Sequence, residues 1–179
     1  MLDLSGVYVE VETCIGTTPP VIWALVTDLS LTPLVNRETI ETRWVPPAAG
    51  PVEGAVFRAT NELGEQRWTV DCHITTCIAP EAFHWTVLDP AYPSSSWWYD
   101  LVPAGTSATK VRHGFRHGPN NSGLRRRVDE DPTNREVIIA ARTEMLRANM
   151  TYTLGQFKRR AEASANPSSD RAGDGSGRS

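Results

Sequence analysis

The sequence has no long hydrophobic run, and residues 1–11 contain Asp3 and Glu10 but no lysine or arginine. A membrane-spanning helix needs about 20 mostly apolar residues, and a secretory signal begins with a basic segment. We therefore expect neither feature and no insertion into a membrane.

Cysteine is also scarce. The three cysteines, Cys14, Cys72 and Cys77, are an odd number and show no CxxC spacing. Thiols of this kind stay free in a reducing compartment, so we expect a cytoplasmic protein. Cys72 and Cys77 are an odd number of residues apart in one predicted strand, which predicts that they face opposite sides of it and share no metal.

Positive charge is not in excess, because 18 Lys and Arg stand against 21 Asp and Glu, a net charge of -3. A phosphate backbone is bound by an excess of basic residues, so we expect no nucleic-acid partner. One local basic stretch, residues 110–127, could guide an anionic substrate or contact RNA, but Asp129, Glu130 and Asp131 follow it directly. We interpret it as a solvated loop with internal salt bridges.

The usual motifs of several enzyme classes are missing. The sequence has no nucleophile elbow, dinucleotide fingerprint, P-loop or metalloprotease histidine pair. His113 and His117 are four residues apart, but they fall on a predicted strand and the loop after it, where helical ligand spacing does not apply. We expect no metal and no cofactor.

The composition is that of one globular domain, with 40% hydrophobic and 22% charged residues in a chain of 179. Residues 164–179 contain no large apolar side chain that could offset the entropy cost of ordering. We therefore assign residues 1–163 to the domain and residues 164–179 to a disordered tail.

Alternating apolar residues predict an antiparallel sheet of about seven strands. The predicted strands cover residues 6–14, 38–45, 54–62, 67–78, 82–88, 95–102 and 108–115. Thr18, Pro19 and Pro20 begin a short helix after the first strand, and a second short helical turn follows near residues 30–35.

One face of the predicted sheet is apolar and the other polar, an arrangement that requires a cover on one side. The cover is a helix of roughly 30 residues that begins at Asp131 and Pro132 and carries a broad apolar face. The alternation predicts that mostly apolar and aromatic side chains point inward. Among them are Ile40, Thr42, Trp44, Phe57, Trp68, Cys72, Trp85, Trp97, Tyr99, Val111 and Phe115.

This order of elements resembles the START-like, birch-pollen-allergen-like superfamily, also known as SRPBCC or polyketide cyclase/dehydrase-like proteins. The resemblance covers residues 6–163 and lies in the segments PVIWALVTD (20–28), GAVFRATNELGEQRW (54–68), HGPNNSGL (117–124) and RANMTYTLGQFKRRAE (147–162), with Glu38, Trp44, Trp97-Trp98-Tyr99 and Gly105-Thr106. It implies an α+β helix-grip fold, in which a curved antiparallel sheet of seven strands wraps around one long C-terminal helix. It also implies a deep, largely apolar cavity between the sheet and that helix.

Our leading hypothesis is therefore a protein that holds a lipid, polyketide or aromatic metabolite in that cavity. Side chains that would line it are large, apolar or amide-bearing residues on the inward faces. They are Trp44, Phe57, Asn61, Trp68, Trp85, Trp97, Tyr99, Met145, Asn149 and Met150. The tryptophans could instead fill a solid core.

A cyclase or dehydratase-like enzyme is the alternative, with Glu38 and His113 as candidate acid and base and Asn61 orienting a carbonyl group. Glu38 could equally be a hydrated carboxylate at a strand end, His113 a core histidine bonded to a carbonyl, and Asn61 part of a hairpin turn. A non-catalytic interaction module is the remaining class. The sequence does not define the ligand or an oligomeric state.

Overall fold

A computed structural model describes Leu4 and residues 6–165 of the chain. Its centre is one antiparallel sheet of seven strands in the order β1-β7-β6-β5-β4-β3-β2. The strands are β1 (Tyr8–Ile15), β2 (Thr39–Trp44), β3 (Val56–Leu63), β4 (Gln66–Ile78), β5 (Ala82–Val87), β6 (Ser95–Pro103) and β7 (Thr109–His117). The predicted meander is confirmed. Strand β1 lies at one edge of the sheet and pairs with the last strand, β7.

The helices lie before and after the meander. They are α1 (Pro19–Thr27), α2 (Thr32–Val35), α3 (Gly123–Glu130) and α4 (Arg135–Ala165), with 3-10 turns at Leu29–Leu31 and Pro132–Asn134. Helix α4 ends two positions inside the predicted tail, and the rest of that tail, residues 166–179, lies outside the described residues. No helix in the described part of the chain is both long and apolar enough to cross a membrane.

Local sequence explains where the first helices start and stop. Pro19 and Pro20 occupy the first turn of α1, where the missing N–H groups would have no helical partner anyway. Asp28 ends the helix in extended conformation, and its side chain accepts a hydrogen bond from the backbone N–H of Ser30 at 2.9 Å. That contact starts the following 3-10 turn.

Two strands contain an irregularity that the alternating pattern does not predict. The pairing of β2 with β3 shifts between Thr39 and Glu41, and Ile40, predicted to point inward, is 41% exposed. Because one extra residue changes the face of the residues beyond it, the alternation fails at this point.

The second irregularity corrects the predicted orientation of two cysteines. Strand β4 shifts its pairing with β5 between Ile74 and Thr76, and Cys72 then pairs with Val87 while Cys77 pairs with Phe83. Residues paired across an antiparallel ladder share a face, and positions 83 and 87 of β5 share the inner one. Cys72 and Cys77 therefore lie on the same side of the sheet.

Helix α3 lies where the sequence predicts a solvated loop. Ser122 begins it, and its hydroxyl accepts a hydrogen bond from the backbone N–H of Arg125 at 3.0 Å. Arg125 is only 3% exposed, and its guanidinium donates to the carbonyls of Asn120 and Gly118. This arginine therefore fastens α3 to the loop after β7.

Helix α4 covers the inner face of the sheet and creates two buried clusters. One contains residues of α1, α4 and β3 to β7, among them Phe57, Phe83, Tyr99 and Phe157. The other joins the N-terminal segment to the middle of α4 through Leu4, Val9, Phe115, Leu146 and Met150. The protein has the α+β architecture of a curved sheet packed on a long C-terminal helix.

Candidate functional site

A cavity of about 1110 Å³ lies between the inner face of the sheet and helix α4. Strands β2 to β7, the α1–α2 segment, α3 and α4 all contribute to its wall. Ligand cavities in proteins commonly measure about 300–1,000 Å³, so this space is large enough for a sizeable small molecule.

Aromatic rings form the inner wall of the cavity. Trp85 of β5 pairs with Trp97 of β6, and their rings stack at 6.3 Å with an interplanar angle of 5°. Phe57 packs edge to face on Trp85, with 6.1 Å between the ring centroids, and the ring centroid of Tyr99 lies 5.7 Å from that of Trp85. Adjacent strands thus place their aromatic residues at matched positions, which produces a continuous apolar surface.

His113 is a buried titratable residue of this wall. Its Nδ1 lies 3.0 Å from the carbonyl oxygen of Trp98, and its ring stacks on Tyr99 at 4.2 Å. Burial lowers the pKa of His113 to about 4, so the ring is neutral near pH 7. Because a carbonyl oxygen only accepts, Nδ1 carries the proton and Nε2 is left as an acceptor. Nε2 has no hydrogen-bond partner among the described residues.

Tyr99, the neighbour of His113, is also buried in the wall. Burial raises the pKa of its phenol, so Tyr99 remains protonated. Two neutral polar rings therefore lie next to each other inside an apolar cavity.

Glu38 lines the cavity and is bound by an arginine that the sequence does not single out. Both terminal nitrogens of Arg142 donate to its carboxylate oxygens, at 2.6 and 2.8 Å. The side chain of Glu38 is 12% exposed and that of Arg142 is 24% exposed. This bidentate ion pair joins the start of β2 to α4 and occupies both oxygens that acid–base chemistry would need.

Asn61 also lines the cavity, from within β3 rather than from a turn. Its Oδ1 accepts a hydrogen bond from the hydroxyl of Thr39 at 2.9 Å. Within residues 6–165 its amide nitrogen has no partner, so Asn61 retains a donor that a ligand oxygen can use.

His117 and Ser122 form a polar contact at the α3 end of the cavity. His117 Nε2 lies 2.7 Å from the hydroxyl oxygen of Ser122, and His117 Nδ1 lies 2.7 Å from the carbonyl oxygen of Gly118. Burial lowers the pKa of His117 and favours its neutral form. The described residues include no group of three His, Cys, Asp or Glu side chains that could hold a metal ion.

Exposed arginines line the same end of the cavity. Arg126 and Arg127 extend from α3. Arg67 lies at the start of β4, with its side chain on the opposite face of the strand from Trp68. The sequence shows the basic stretch but not that it borders a cavity. The only sign of helix α3 in the sequence is its N-cap residue, Ser122.

Several solved structures are similar to this one over most of its length. A Polyketide_cyc-like protein from Corynebacterium glutamicum has a TM-score of 0.66 at 20% sequence identity, covering 93% of this chain and 98% of its own. The ZhuI aromatase/cyclase from Streptomyces sp. R1128 has a TM-score of 0.64 at 14% identity, covering 89% and 96%. The di-domain aromatase/cyclase StfQ of the steffimycin biosynthetic pathway has a TM-score of 0.66 at 13% identity, covering 89% of this chain and 51% of its own.

The chain has the polyketide cyclase-like fold. The identities are too low to transfer a ligand or a reaction, so these structures show the fold alone. No protein-family model and no curated protein matches the sequence significantly.

Most of the side chains predicted to line the cavity do so in this polyketide cyclase-like fold. The cavity wall includes Glu38, Phe57, Asn61, Trp68, Trp85, Trp97, Tyr99, His113 and Met145. Their roles toward a ligand stay predictions.

Trp44, Asn149 and Met150 are placed outside the cavity wall. Trp44 packs edge to face on Phe57 at 6.1 Å, Asn149 Oδ1 accepts from the backbone N–H of Arg37 at 2.9 Å, and Met150 is buried in the N-terminal cluster. A helix turns by about 100° per residue, so Met145 and Met150 differ by about 140° in direction. The two side chains therefore cannot both point into the cavity, and of the two only Met145 lines it.

Proposed function

We propose that this protein binds a hydrophobic small molecule, such as a lipid, a polyketide or an aromatic metabolite, in the cavity between the sheet and α4. The observation that carries this proposal is the aromatic wall around about 1110 Å³ of space. The rings of Trp85 and Trp97 leave apolar area that water wets poorly, and a flat or aliphatic ligand would cover it.

Polar groups within the wall would orient such a ligand. His113 Nε2 is an acceptor for a ligand hydroxyl, and the amide nitrogen of Asn61 is a donor for a ligand carbonyl. A few polar groups in an otherwise apolar pocket are typical of small-molecule sites.

The proposal is tested with N-phenyl-1-naphthylamine, a neutral aromatic probe whose fluorescence rises in apolar surroundings. Ala141 lines the cavity from an exposed position on α4, so Ala141→Trp places an indole where the probe would lie. We expect about tenfold weaker binding to this variant. Ala140→Trp is the matched control, because Ala140 is exposed on the same helix but does not line the cavity.

Two results would contradict binding in this cavity. The wild type could fail to raise the probe's fluorescence, or both tryptophan variants could bind as tightly as the wild type. Thermal unfolding of each variant identifies any loss of affinity that comes from loss of fold.

An enzyme that cyclises or dehydrates a polyketide is the second candidate. It is favoured by the free acceptor of His113 in the cavity and by the aromatase/cyclases among the similar structures. A neutral imidazole can take a proton from an acidic carbon or hydroxyl of a bound ligand. Its lowered pKa makes it a weak base, however, so it requires an acidic substrate.

A synthetic poly-β-ketone thioester tests the enzymatic candidate against its own spontaneous cyclisation. We expect the wild type to exceed the spontaneous rate and His113→Gln to lose the excess while still binding the neutral probe. A wild-type rate equal to the spontaneous rate rejects catalysis on this substrate class and leaves the binding proposal standing.

A further inference from the structure

The charged residues of the cavity wall differ in balance from the chain as a whole. The wall contains four arginines and two glutamates, a net charge of +2, whereas the chain has a net charge of -3. Arg142 is neutralised by Glu38 through the bidentate ion pair. The remaining charged residues that border the cavity are Arg126, Arg127, Glu65 and Arg67. Arg67 pairs with Glu62 in the β3–β4 ladder, so its side chain lies on the opposite face of β4 from Trp68.

These remaining side chains are exposed, and among residues 6–165 none of them has an ion-pair or hydrogen-bond partner from its side chain. Arg126 and Arg127 are consecutive residues of α3 and carry like charges, so an anion beside them would relieve their mutual repulsion. Guanidinium groups also bind carboxylate, phosphate and sulfonate oxygens through paired N–H donors.

The pairing of the strands places α3, with Arg126 and Arg127, at one end of the cavity. Strand β5 ends at Val87, which pairs with Cys72 and with Ser95, so residues 66–71 of β4 continue beyond it with Arg67. Ser95 also pairs with His117, the last residue of β7, and α3 follows. The β3–β4 turn and α3 thus border the same end.

The aromatic rings lie farther in. From the pair Ser95 and His117, the same ladder runs through Trp97 with Phe115 to Tyr99 with His113. Phe157 of α4 packs on Tyr99 at that inner position, 5.9 Å between ring centroids. Among the described residues that line the inner end, none is an unpaired cation, because His113 is neutral near pH 7. The cavity is therefore aromatic and uncharged at its inner end and positive at its outer end.

We propose that the ligand is an anionic amphiphile, with an apolar or aromatic body against the inner rings and one carboxylate, phosphate or sulfonate-like group beside Arg126 and Arg127. This inference rests on the proposed function and assigns its ligand class. A head group at the exposed end keeps part of its hydration, so binding does not require a charge to be buried. The body meanwhile loses its contact with water.

Two aromatic probes that differ by one sulfonate test this ligand class. 1-Anilinonaphthalene-8-sulfonate carries the charge, and N-phenyl-1-naphthylamine has the same ring skeleton without it. In the double variant Arg126→Gln/Arg127→Gln we expect roughly 3- to 10-fold weaker binding of the sulfonate, as two partly exposed ion pairs would give. The neutral probe should keep its affinity.

The matched control is Arg43→Gln/Arg159→Gln, which makes the same change in net charge at exposed positions outside the cavity wall. We expect it to leave sulfonate binding unchanged. Equal weakening in the two double variants, or no weakening in either, overturns the anionic ligand class while the neutral probe still supports the proposed function. If neither probe binds the wild type, the proposed function itself fails.

Displacement of the bound sulfonate identifies the head group. Dodecanoate and dodecyl phosphate should displace it at lower concentration than dodecanol, and the more effective acid distinguishes a carboxylate from a phosphate head. If dodecanol displaces the probe as effectively as either acid, the head-group assignment is wrong.

Discussion

His113 links the cavity wall to the pH dependence of stability. Burial lowers its pKa from the ordinary value of 6.5 to about 4, so the unfolded chain binds a proton in that interval that the folded protein does not. The contribution of His113 to stability is therefore complete above about pH 6.5 and is lost as the pH falls towards 4.

We expect the wild type to lose about 3 kcal/mol more than His113→Gln in its free energy of unfolding between pH 7 and pH 4. The glutamine retains a donor for the Trp98 carbonyl but does not titrate. Urea unfolding of the two proteins at a series of pH values measures the difference. Parallel pH profiles would show that His113 does not titrate differently in the folded state.

The ion pair between Glu38 and Arg142 is the residue contact that most directly holds α4 against β2. Removing one partner leaves a mostly buried charge without its counterpart, so we expect Glu38→Gln and Arg142→Gln each to lower the free energy of unfolding by about 1–3 kcal/mol. The double variant should lose less than the two losses combined.

The exposed pair Lys110 and Glu12 is the control for that cycle. Its atoms are 3.6 Å apart and its side chains are 46% and 56% exposed, so Glu12→Gln should change stability by less than about 0.5 kcal/mol. Strictly additive losses for Glu38 and Arg142 would contradict a direct interaction between them.

At the same scale, the facing of single residues was predictable only where the strands are regular. The alternation places Phe57, Trp85 and Tyr99 correctly, because their strands pair without a shift at those positions. The alternation fails at Ile40, which lies within a change of register, and at Cys77, which follows one. A bulge moves side chains between faces, and residues 36–45 and 72–79, which contain the two register shifts, include no glycine or proline that would signal one.

Among the elements, helix α4 is fixed to the rest of the fold by polar contacts as well as by its apolar face. The hydroxyl of Thr153 donates to the carbonyl oxygen of Val35 at 2.8 Å, and Thr153 is 1% exposed. Replacement by the isosteric valine leaves that carbonyl without its donor, so we expect Thr153→Val to cost about 1–2 kcal/mol of unfolding free energy.

Thr151→Val provides the control on the same helix, because Thr151 is exposed. It should change stability by less than about 0.5 kcal/mol. Chemical denaturation of both variants measures the difference, and equal stability of the two would show that the contact of Thr153 with Val35 contributes nothing.

Helix type and position were predictable where the apolar pattern is long. Helix α4 has an apolar face that recurs over many turns, and the strands have β-branched and aromatic alternation. Helix α3 has eight residues, and three of them are consecutive arginines, so its only signal is the cap at Ser122. Val128 is the one fully buried apolar residue of α3, and a single residue does not make an apolar pattern.

For the molecule as a whole, element order specifies the architecture but not the space inside it. A sheet with one apolar face, followed by one long amphipathic helix, has few ways to bury both apolar faces, so the pattern predicts that the helix covers the sheet. The helix-grip arrangement itself came from the family resemblance. The cavity depends on the curvature of the sheet and on where α3 and the β3–β4 turn meet α4. Those distances follow from bulges and side-chain packing, so the arginines at its outer end could not be predicted.

The most direct test is native mass spectrometry of the protein after incubation with a mixture of dodecanoate, dodecanol and a neutral polycyclic aromatic. We expect one ligand per chain in the wild type and in Ala140→Trp, lost on denaturation, and a marked reduction in Ala141→Trp, whose indole occupies the cavity. Equal loading of Ala141→Trp and the wild type, or no complex with any of the ligands, would contradict a ligand site between the sheet and α4.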